Sequence, residues 1–120
     1  MPVNIVVVDD DPGFRRVAKA LLTARGFSVI AETADGASGI AAVRQHRPDG
    51  VLLDMYLPDQ EGIQVARALK VHGDSSRVVI TSTEDLPWSE EELAEAGVVR
   101  FITKDRLFDA DLAALFEANS

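Results

Sequence analysis

Five short apolar runs separated by amphipathic segments are the feature that most restricts the fold of this chain. The runs recur at a spacing of roughly two dozen residues. The first, third and fourth are almost continuously apolar and rich in β-branched residues, a pattern typical of strands buried on both faces of a parallel sheet. The five predicted strands are Ile5–Val8, Val29–Thr33, Val51–Leu53, Val78–Thr81 and Val99–Thr103.

The segments between these runs have the apolar periodicity of helices. The first such helix is predicted over Pro12–Arg25, where apolar residues repeat at i, i+3, i+4, i+7 and i+8. Asp11 is its expected N-cap, and Gly26 is expected just beyond its C-terminus. Further helices are predicted around Ala37–Gln45, Gly62–Val71, Trp88–Ala96 and Ala110–Ala118.

Strand and helix alternate five times, which predicts right-handed crossovers and a doubly wound, five-stranded parallel α/β sheet with helices on both faces. One domain is expected over residues 1–120, because single cores extend to about 100–150 residues before chains divide. The 47% of hydrophobic residues is enough to form a buried core. The fifth helix uses the end of the sequence, so no output domain is expected within it.

Composition argues against several kinds of function. The sequence has no cysteine, which excludes disulfides and thiolate sites. A net charge of −8 argues against direct binding to nucleic acid, and the basic residues Arg15, Arg16 and Lys19 are interpreted as a solvated face of the first helix. No signal peptide and no apolar stretch of the roughly 20 residues that a membrane helix needs is present. We therefore expect a cytoplasmic protein.

Polar side chains follow four of the five predicted strands. Ligands of open parallel sheets bind outside the carboxyl ends of the strands, so these residues are the candidates for a site. The second strand lacks such a group, as expected of an edge strand. The candidates are Asp9-Asp10-Asp11, Asp54, Thr81-Ser82-Thr83 and Thr103-Lys104-Asp105.

If the first and third strands are neighbours, Asp9, Asp10 and Asp54 lie in one crevice. Two carboxylates about 4 Å apart repel by about 4 kcal/mol at an effective dielectric constant of 20, so the cluster requires protons, solvent or a cation. Its oxygen-only ligands suit Mg²⁺ or Mn²⁺. Lys104 and the Ser82 hydroxyl would suit an anion beside the metal. This combination indicates phosphoryl transfer, in which an aspartate can be the nucleophile.

Four motifs in register resemble the receiver domains of response regulators, and particularly actinobacterial receivers, some of which stand alone. They extend over essentially the whole chain. The resemblance implies a flavodoxin-like strand order, 2-1-3-4-5. The motifs are Ile5-Val6-Val7-Val8-Asp9-Asp10-Asp11-Pro12, Leu52-Leu53-Asp54-Met55-Tyr56-Leu57-Pro58 with Gly62, Ile80-Thr81-Ser82 and Phe101-Ile102-Thr103-Lys104.

The resemblance implies that Asp54 is the phosphoacceptor. It also implies a site for Mg²⁺ (or Mn²⁺) formed by Asp54, Asp10, Asp9 acting through water, and the backbone carbonyl of Tyr56. Lys104 matches the lysine that pairs with the phosphoryl group.

The resemblance further implies a switch formed by Ser82, which also contacts the phosphoryl group, and Phe101. The expected strand register favours Ser82 over Thr81, whose side chain should point into the sheet packing. Tyr56 and Glu84 occupy positions that in the family modulate phosphorylation and dephosphorylation rates.

The implied partners are a sensor histidine kinase or a histidine phosphotransfer protein, and a downstream protein that binds the surface of the fourth helix, fifth strand and fifth helix. Trp88 is expected either on that surface or in the core. The implied function is that of a signalling switch, not of a turnover enzyme.

Three alternatives remain open from the residues. The first is a pseudo-receiver, which acts as a phosphorylation-independent interaction module. It stays open because Asp105 replaces the proline usual in the family and Phe101 lacks a hydroxyl. The receiver fragment of a helix-turn-helix transcription regulator is the second. A metal-dependent phosphatase is disfavoured because Tyr56 stands where such enzymes carry a second acid.

Overall fold

A computed structural model describes residues 2–117 of the chain. They form a parallel sheet in the order β2-β1-β3-β4-β5. The predicted fold and strand order are therefore confirmed, and β2 lies at an edge. The strands are β1 (Asn4–Val8), β2 (Ser28–Thr33), β3 (Gly50–Asp54), β4 (Arg77–Ser82) and β5 (Val98–Thr103). The helices are α1 (Pro12–Ala24), α2 (Gly36–His46), α3 (Gly62–Val71), α4 (Glu90–Glu95) and α5 (Leu112–Phe116).

Two apolar layers cover the faces of the sheet, because side chains alternate along each strand. In β1, Val6 and Val8 belong to one layer, whereas Ile5 and Val7 belong to the other. Helices α2, α3 and α4 pack on the first layer, and α1 and α5 pack on the second. The apolar side chains of the central strands β1, β3 and β4 are at most 3% exposed. This burial confirms that these runs are strands covered on both faces.

The ends of α1 have the predicted chemistry. Asp11 is the N-cap, and its Oδ1 accepts a hydrogen bond from the Gly13 N–H at 2.9 Å. The helix ends at Ala24, and Gly26 follows with a φ of +90°, a conformation that favours glycine. The predicted helix is confirmed to within one residue.

Helix α4 is shorter than predicted. It begins at Glu90 instead of Trp88, because Ser89 is its N-cap. The Ser89 hydroxyl accepts a hydrogen bond from the Glu92 N–H at 3.2 Å, and the Glu92 side chain returns to the Ser89 N–H. This reciprocal pair fixes the first turn two residues later than the apolar pattern indicated.

Helix α5 is also shorter at its start. It begins at Leu112 instead of Ala110, because Asp111 is the N-cap and a 3-10 turn, Leu107–Asp109, precedes it. Its predicted end, Ala118, lies outside the described residues. Within residues 2–117, no helix combines the length and apolar character needed to cross a membrane.

Candidate functional site

Three carboxylates meet at the carboxyl edge of the sheet. Strands β1 and β3 are neighbours, with Val8 opposite Leu53, so Asp9 and Asp54 follow at the same height. One oxygen from each of Asp9, Asp10 and Asp54 lies within 4.8 Å of the others. Asp9 and Asp54 are buried, whereas Asp10 is exposed. The predicted convergence of these residues is confirmed.

Lys104 enters this cluster from the end of β5. Its Nζ lies 2.9 Å from Asp9 Oδ2 and 3.7 Å from Asp54 Oδ1, and its side chain is 17% exposed. The Lys104 N–H donates to the Ser82 carbonyl at 2.9 Å, which anchors the residue to the neighbouring strand. We call the group Asp9, Asp10, Asp54 and Lys104 the acidic pocket. It holds three carboxylates against one ammonium.

The carboxyl group of Asp54 is held in an unfavourable environment for its charge. Burial, with the negative charges of Asp9 and Asp10, raises the pKa of Asp54 to about 6 from its ordinary 3.8. Lys104 and the backbone N–H of Tyr56 lower this pKa and offset part of the effect. Ionised Asp54 is therefore stabilised by any cation that enters the pocket.

The donor atoms of the pocket fit a divalent cation. Asp9 Oδ1 accepts a hydrogen bond from the Asp11 N–H at 2.9 Å. Asp9 Oδ2 is buried, and Lys104 Nζ at 2.9 Å is its one polar partner among the described residues. A buried carboxylate oxygen with a single cationic partner, beside two further carboxylates, is an environment that suits Mg²⁺ or Mn²⁺.

The turn after β3 brings Tyr56 beside Asp54. Hydrogen bonds from Gly62 N to Met55 O (2.6 Å) and from Leu57 N to Gln60 O (3.1 Å) close this turn, and the Tyr56 carbonyl accepts neither. A methyl group on Gly62 would lie 2.5 Å from the Asp54 carbonyl oxygen, so only glycine fits there. The backbone at Tyr56 is thus fixed next to the pocket, and its role as a metal ligand stays a prediction.

The hydroxyl groups at the end of β4 have different partners. Thr81 lies opposite Asp54 in the sheet, and its Oγ1 is 3.5 Å from the Leu53 carbonyl. Ser82 Oγ accepts a hydrogen bond from the Glu84 N–H at 3.3 Å, in the loop that follows the strand. Both residues are buried. Thr81 thus bonds within the sheet and Ser82 bonds beyond it, as expected, while the switch role of Ser82 stays a prediction.

A cavity of about 580 Å³ lies between α4 and β5, away from the pocket. We call it the α4–β5 groove. Phe101 and Trp88 are half-buried in its wall, so Trp88 belongs neither wholly to the surface nor to the core. The lining also includes Leu86, Leu93, Val98 and Arg100.

Tyr56, Glu84 and Asp105 lie around the acidic pocket, where they are expected to affect access to it and the geometry of the following loop. Tyr56 is 53% exposed and Glu84 is exposed, so both can meet a molecule approaching the site. No cis peptide occurs within residues 2–117, so the bond between Lys104 and Asp105 is trans. The expected effects of Tyr56 and Glu84 on the rates of phosphorylation and dephosphorylation stay predictions.

The interpretation of Arg15 as part of a solvated helix face was wrong. Arg15 Nη1 donates to the Asp9 carbonyl at 2.6 Å, and Nε lies 3.8 Å from a carboxylate oxygen of Glu32. Lys19 Nζ is 3.7 Å from the same carboxylate group.

The sequence reasoning also missed Asp59 and Phe14. The Asp59 carboxylate accepts hydrogen bonds from Gly36 N (2.7 Å) and Ala37 N (3.0 Å) at the start of α2, and these bonds lower the pKa of Asp59. Through these hydrogen bonds Asp59 connects the loop after β3 to the N-terminus of α2. The Phe14 ring lies against Lys104, with 4.3 Å between its centroid and Nζ. No local sequence signal indicates either contact.

Comparison with known proteins identifies the class of this fold and site. The family described as "Response regulator receiver domain" matches residues 5–115. The chain therefore belongs to the response regulator receiver domain family, and two-component signalling is its setting.

Among relatives, the chain is 36% identical over 104 residues to the probable transcriptional regulatory protein NarL of Mycobacterium tuberculosis, covering 86% of this chain and 48% of that protein. It is 30% identical over 114 residues to the chemotaxis protein CheY of Bacillus subtilis, covering 92% of this chain and 95% of that protein. The chain spans about half the length of the first relatives it matches.

Solved structures agree. The receiver domain of the putative response regulator NarL from Mycobacterium tuberculosis superimposes with a TM-score of 0.83 at 32% identity, covering 98% of both chains. A CheX–CheY–BeF3–Mg²⁺ complex from Borrelia burgdorferi contains a chain with a TM-score of 0.86 at 22% identity, covering 98% of this chain and 92% of that one. The second likeness concerns the fold alone.

Proposed function

We propose that the chain, as a single domain over residues 1–120, accepts a phosphoryl group on Asp54 from the phosphohistidine of a sensor kinase or phosphotransfer protein. A carboxylate oxygen of Asp54 attacks phosphorus, the P–N bond breaks, and the released imidazole takes up a proton. The observation that carries this proposal is the burial of Asp54 between Lys104 and two further carboxylates, with its pKa raised to about 6. Such a perturbed group in a crevice is a candidate reactive group.

Asp9, Asp10, Asp54 and the carbonyl of Tyr56 would hold Mg²⁺ (or Mn²⁺). When bound, the metal neutralises charge on the transferring phosphoryl oxygens. Lys104 already lies within 4 Å of carboxylate oxygens of Asp9 and Asp54. It neutralises part of the incoming charge by turning its ammonium to a phosphoryl oxygen on Asp54.

The Ser82 hydroxyl donates a hydrogen bond to the phosphoryl group. In doing so it moves away from the Glu84 N–H, which lies at the start of the loop leading to α4. Phe101 then shifts against the α4–β5 groove. A phosphoryl group favours whichever arrangement it binds better, so it changes the population of the two states of this surface. Tyr56 and Glu84 flank the route to Asp54 and modulate the rates of gain and loss.

The downstream partner is a protein that binds the surface of α4, β5 and α5. The first turn of α4 carries Glu90, Glu91 and Glu92, so we expect basic side chains on this partner. Direct binding to nucleic acid is not part of the proposal. The chain acts as a switch without turnover of a substrate, and a cytoplasmic location stays a prediction.

The test is incubation with Mg²⁺ and acetyl phosphate, followed by intact mass spectrometry. We expect one phosphoryl adduct, and none in Asp54→Asn. Asp11→Asn is the matched control, because it removes a neighbouring carboxylate and keeps an N-cap side chain. An adduct that persists in Asp54→Asn would place the acceptor elsewhere.

Two other functions, a pseudo-receiver and the receiver part of a transcription regulator, are distinguished from this one by further experiments. Failure of acetyl phosphate and of any kinase to give an adduct would favour the pseudo-receiver, with the groove as a constitutive binding surface. The half-length match to NarL, named a probable transcriptional regulatory protein, favours the receiver part of a transcription regulator. Immunoblotting of the native cells for a product about twice this length tests that alternative.

A further inference from the structure

We propose that Phe14 is a positioning residue for Lys104, and that its ring holds the ammonium group at the acidic pocket by a cation–π interaction. Lys104 Nζ lies 4.3 Å from the ring centroid of Phe14. On the pocket side, the same nitrogen lies 2.9 Å from Asp9 Oδ2. The ammonium is therefore held by a carboxylate and an aromatic face together.

The ring is itself firmly placed. Phe14 is in the first turn of α1 and packs against the apolar layer that α1 and α5 share. The same turn is anchored at the pocket by the Asp11 cap and by the hydrogen bond from Arg15 Nη1 to the Asp9 carbonyl. Movement of the ring relative to Asp9 is thus restricted from both ends of the turn.

The interaction is strong enough to matter because Lys104 is largely removed from water. Its side chain is 17% exposed, and a cation over an aromatic ring gains more when it is desolvated. The expected contribution to an equilibrium constant is between about twofold and thirtyfold. Lysine has a flexible stem and many rotamers, so a fixed partner also reduces the entropy lost when it pairs with an anion.

An aromatic face has a property that a carboxylate partner lacks. It attracts the ammonium anywhere within about 6 Å of the ring centroid and imposes little direction. In the structure described, Lys104 is paired with Asp9; in the proposed phosphorylated state, it turns to a phosphoryl oxygen on Asp54. Phe14 can hold the ammonium in both positions, and it contributes more once Lys104 has given up its pairing with the Asp9 carboxylate, so the ring favours the phosphorylated position. This second part rests on the proposed phosphoacceptor function.

The test replaces Phe14 with mono-, di- and trifluorophenylalanine, which progressively weaken the negative face of the ring while keeping its shape and apolar character. Beryllofluoride with Mg²⁺ is the probe, titrated by calorimetry. We expect affinity to fall stepwise along the series, by about fivefold or more in total. The same series at Phe27 is the control, because Phe27 is buried in the same layer and contacts the Phe116 ring at 6.0 Å. Equal affinity across the Phe14 series overturns the proposal.

A second arm works without metal or phosphoryl analogue. Urea unfolding is measured for Phe14→Leu, Lys104→Met and the double variant in EDTA. We expect Phe14→Leu to reduce the folding equilibrium constant at least twofold more when Lys104 is present than when it is methionine. Additive effects overturn the proposal. If the unmodified protein does not bind beryllofluoride, the phosphoacceptor function fails, and this arm alone decides the contact between Phe14 and Lys104.

Discussion

The acidic pocket and the α4–β5 groove belong to one sheet but are constructed differently. The three carboxylates of the pocket follow β1 and β3, whose apolar residues are at most 1% exposed, so the central sheet fixes the positions of Asp9 and Asp54. The groove lies between β5, at an edge, and α4, a helix of six residues held by a capping box. Short helices have little stability of their own. The difference indicates that the acidic pocket is rigid while the α4–β5 groove is easily moved.

The largest expected effect concerns the packing of apolar side chains beneath the pocket and beside the groove. Leu53→Ala, directly before Asp54, should lower the free energy of unfolding by about 3 kcal/mol, because a cavity in the central sheet cannot collapse. Leu93→Ala should cost about 1–2 kcal/mol, because it only enlarges the open groove that Leu93 already lines. Urea denaturation followed by circular dichroism measures both. Equal losses would show that the groove is as firmly packed as the pocket.

A second test uses the charge held in the pocket. The folded pKa of Asp54, about 6, lies above its ordinary 3.8, so ionisation costs more in the folded protein than in the unfolded chain. The metal-free protein should therefore lose stability as the pH rises from about 4 to 6, and this cost should persist above pH 6. Asp54→Asn should remove it and raise stability at neutral pH by roughly 1–2 kcal/mol, below the ceiling of about 3 kcal/mol set by the pKa difference.

Thermal melts in EDTA across this pH range measure the effect, with Asp11→Asn as the control that leaves the pocket carboxylates in place. Mg²⁺ should stabilise the unmodified protein more than Asp54→Asn. A parallel pH dependence of the two proteins would contradict the assignment of the cost to Asp54.

The smallest effect concerns the first turn of α4. Ser89→Ala removes one half of the capping box and should cost about 1 kcal/mol. Amide hydrogen exchange should accelerate in α4, while the amides of β1 and β3 remain protected. Faster exchange at Asp9 and Asp54 as well would mean that the two regions open together, contrary to the comparison.

The central part of the site could be predicted because its residues follow continuous apolar strands. Asp9 and Asp54 are acids placed at the ends of buried runs, and parallel pairing of β1 with β3 brings them together. Lys104 follows the same logic at the end of β5. The sequence positions and the sheet order are sufficient for this result.

Contacts made by helices across the edge of the sheet could not be predicted in this way. Helical periodicity marks Phe14 as a core residue, but it does not show that a lysine ninety positions later lies on its ring. Arg15 was assigned to a solvated face because its partner, the Asp9 backbone carbonyl, leaves no mark in the sequence: every residue carries a carbonyl. The start of α4 at Glu90 is decided by the capping box of Ser89 and Glu92, which the apolar pattern beginning at Trp88 does not show.

The chain contains one tyrosine and one tryptophan, and these residues lie in the two regions compared above. Tyr56 stands exposed beside Asp54, and Trp88 is half-buried in the groove. Tyrosine emission overlaps tryptophan absorption, so the protein carries a natural donor beside the acidic pocket and a natural acceptor in the α4–β5 groove. Resonance energy transfer between them provides an optical measure of how the rigid and the movable region are arranged, without any added label.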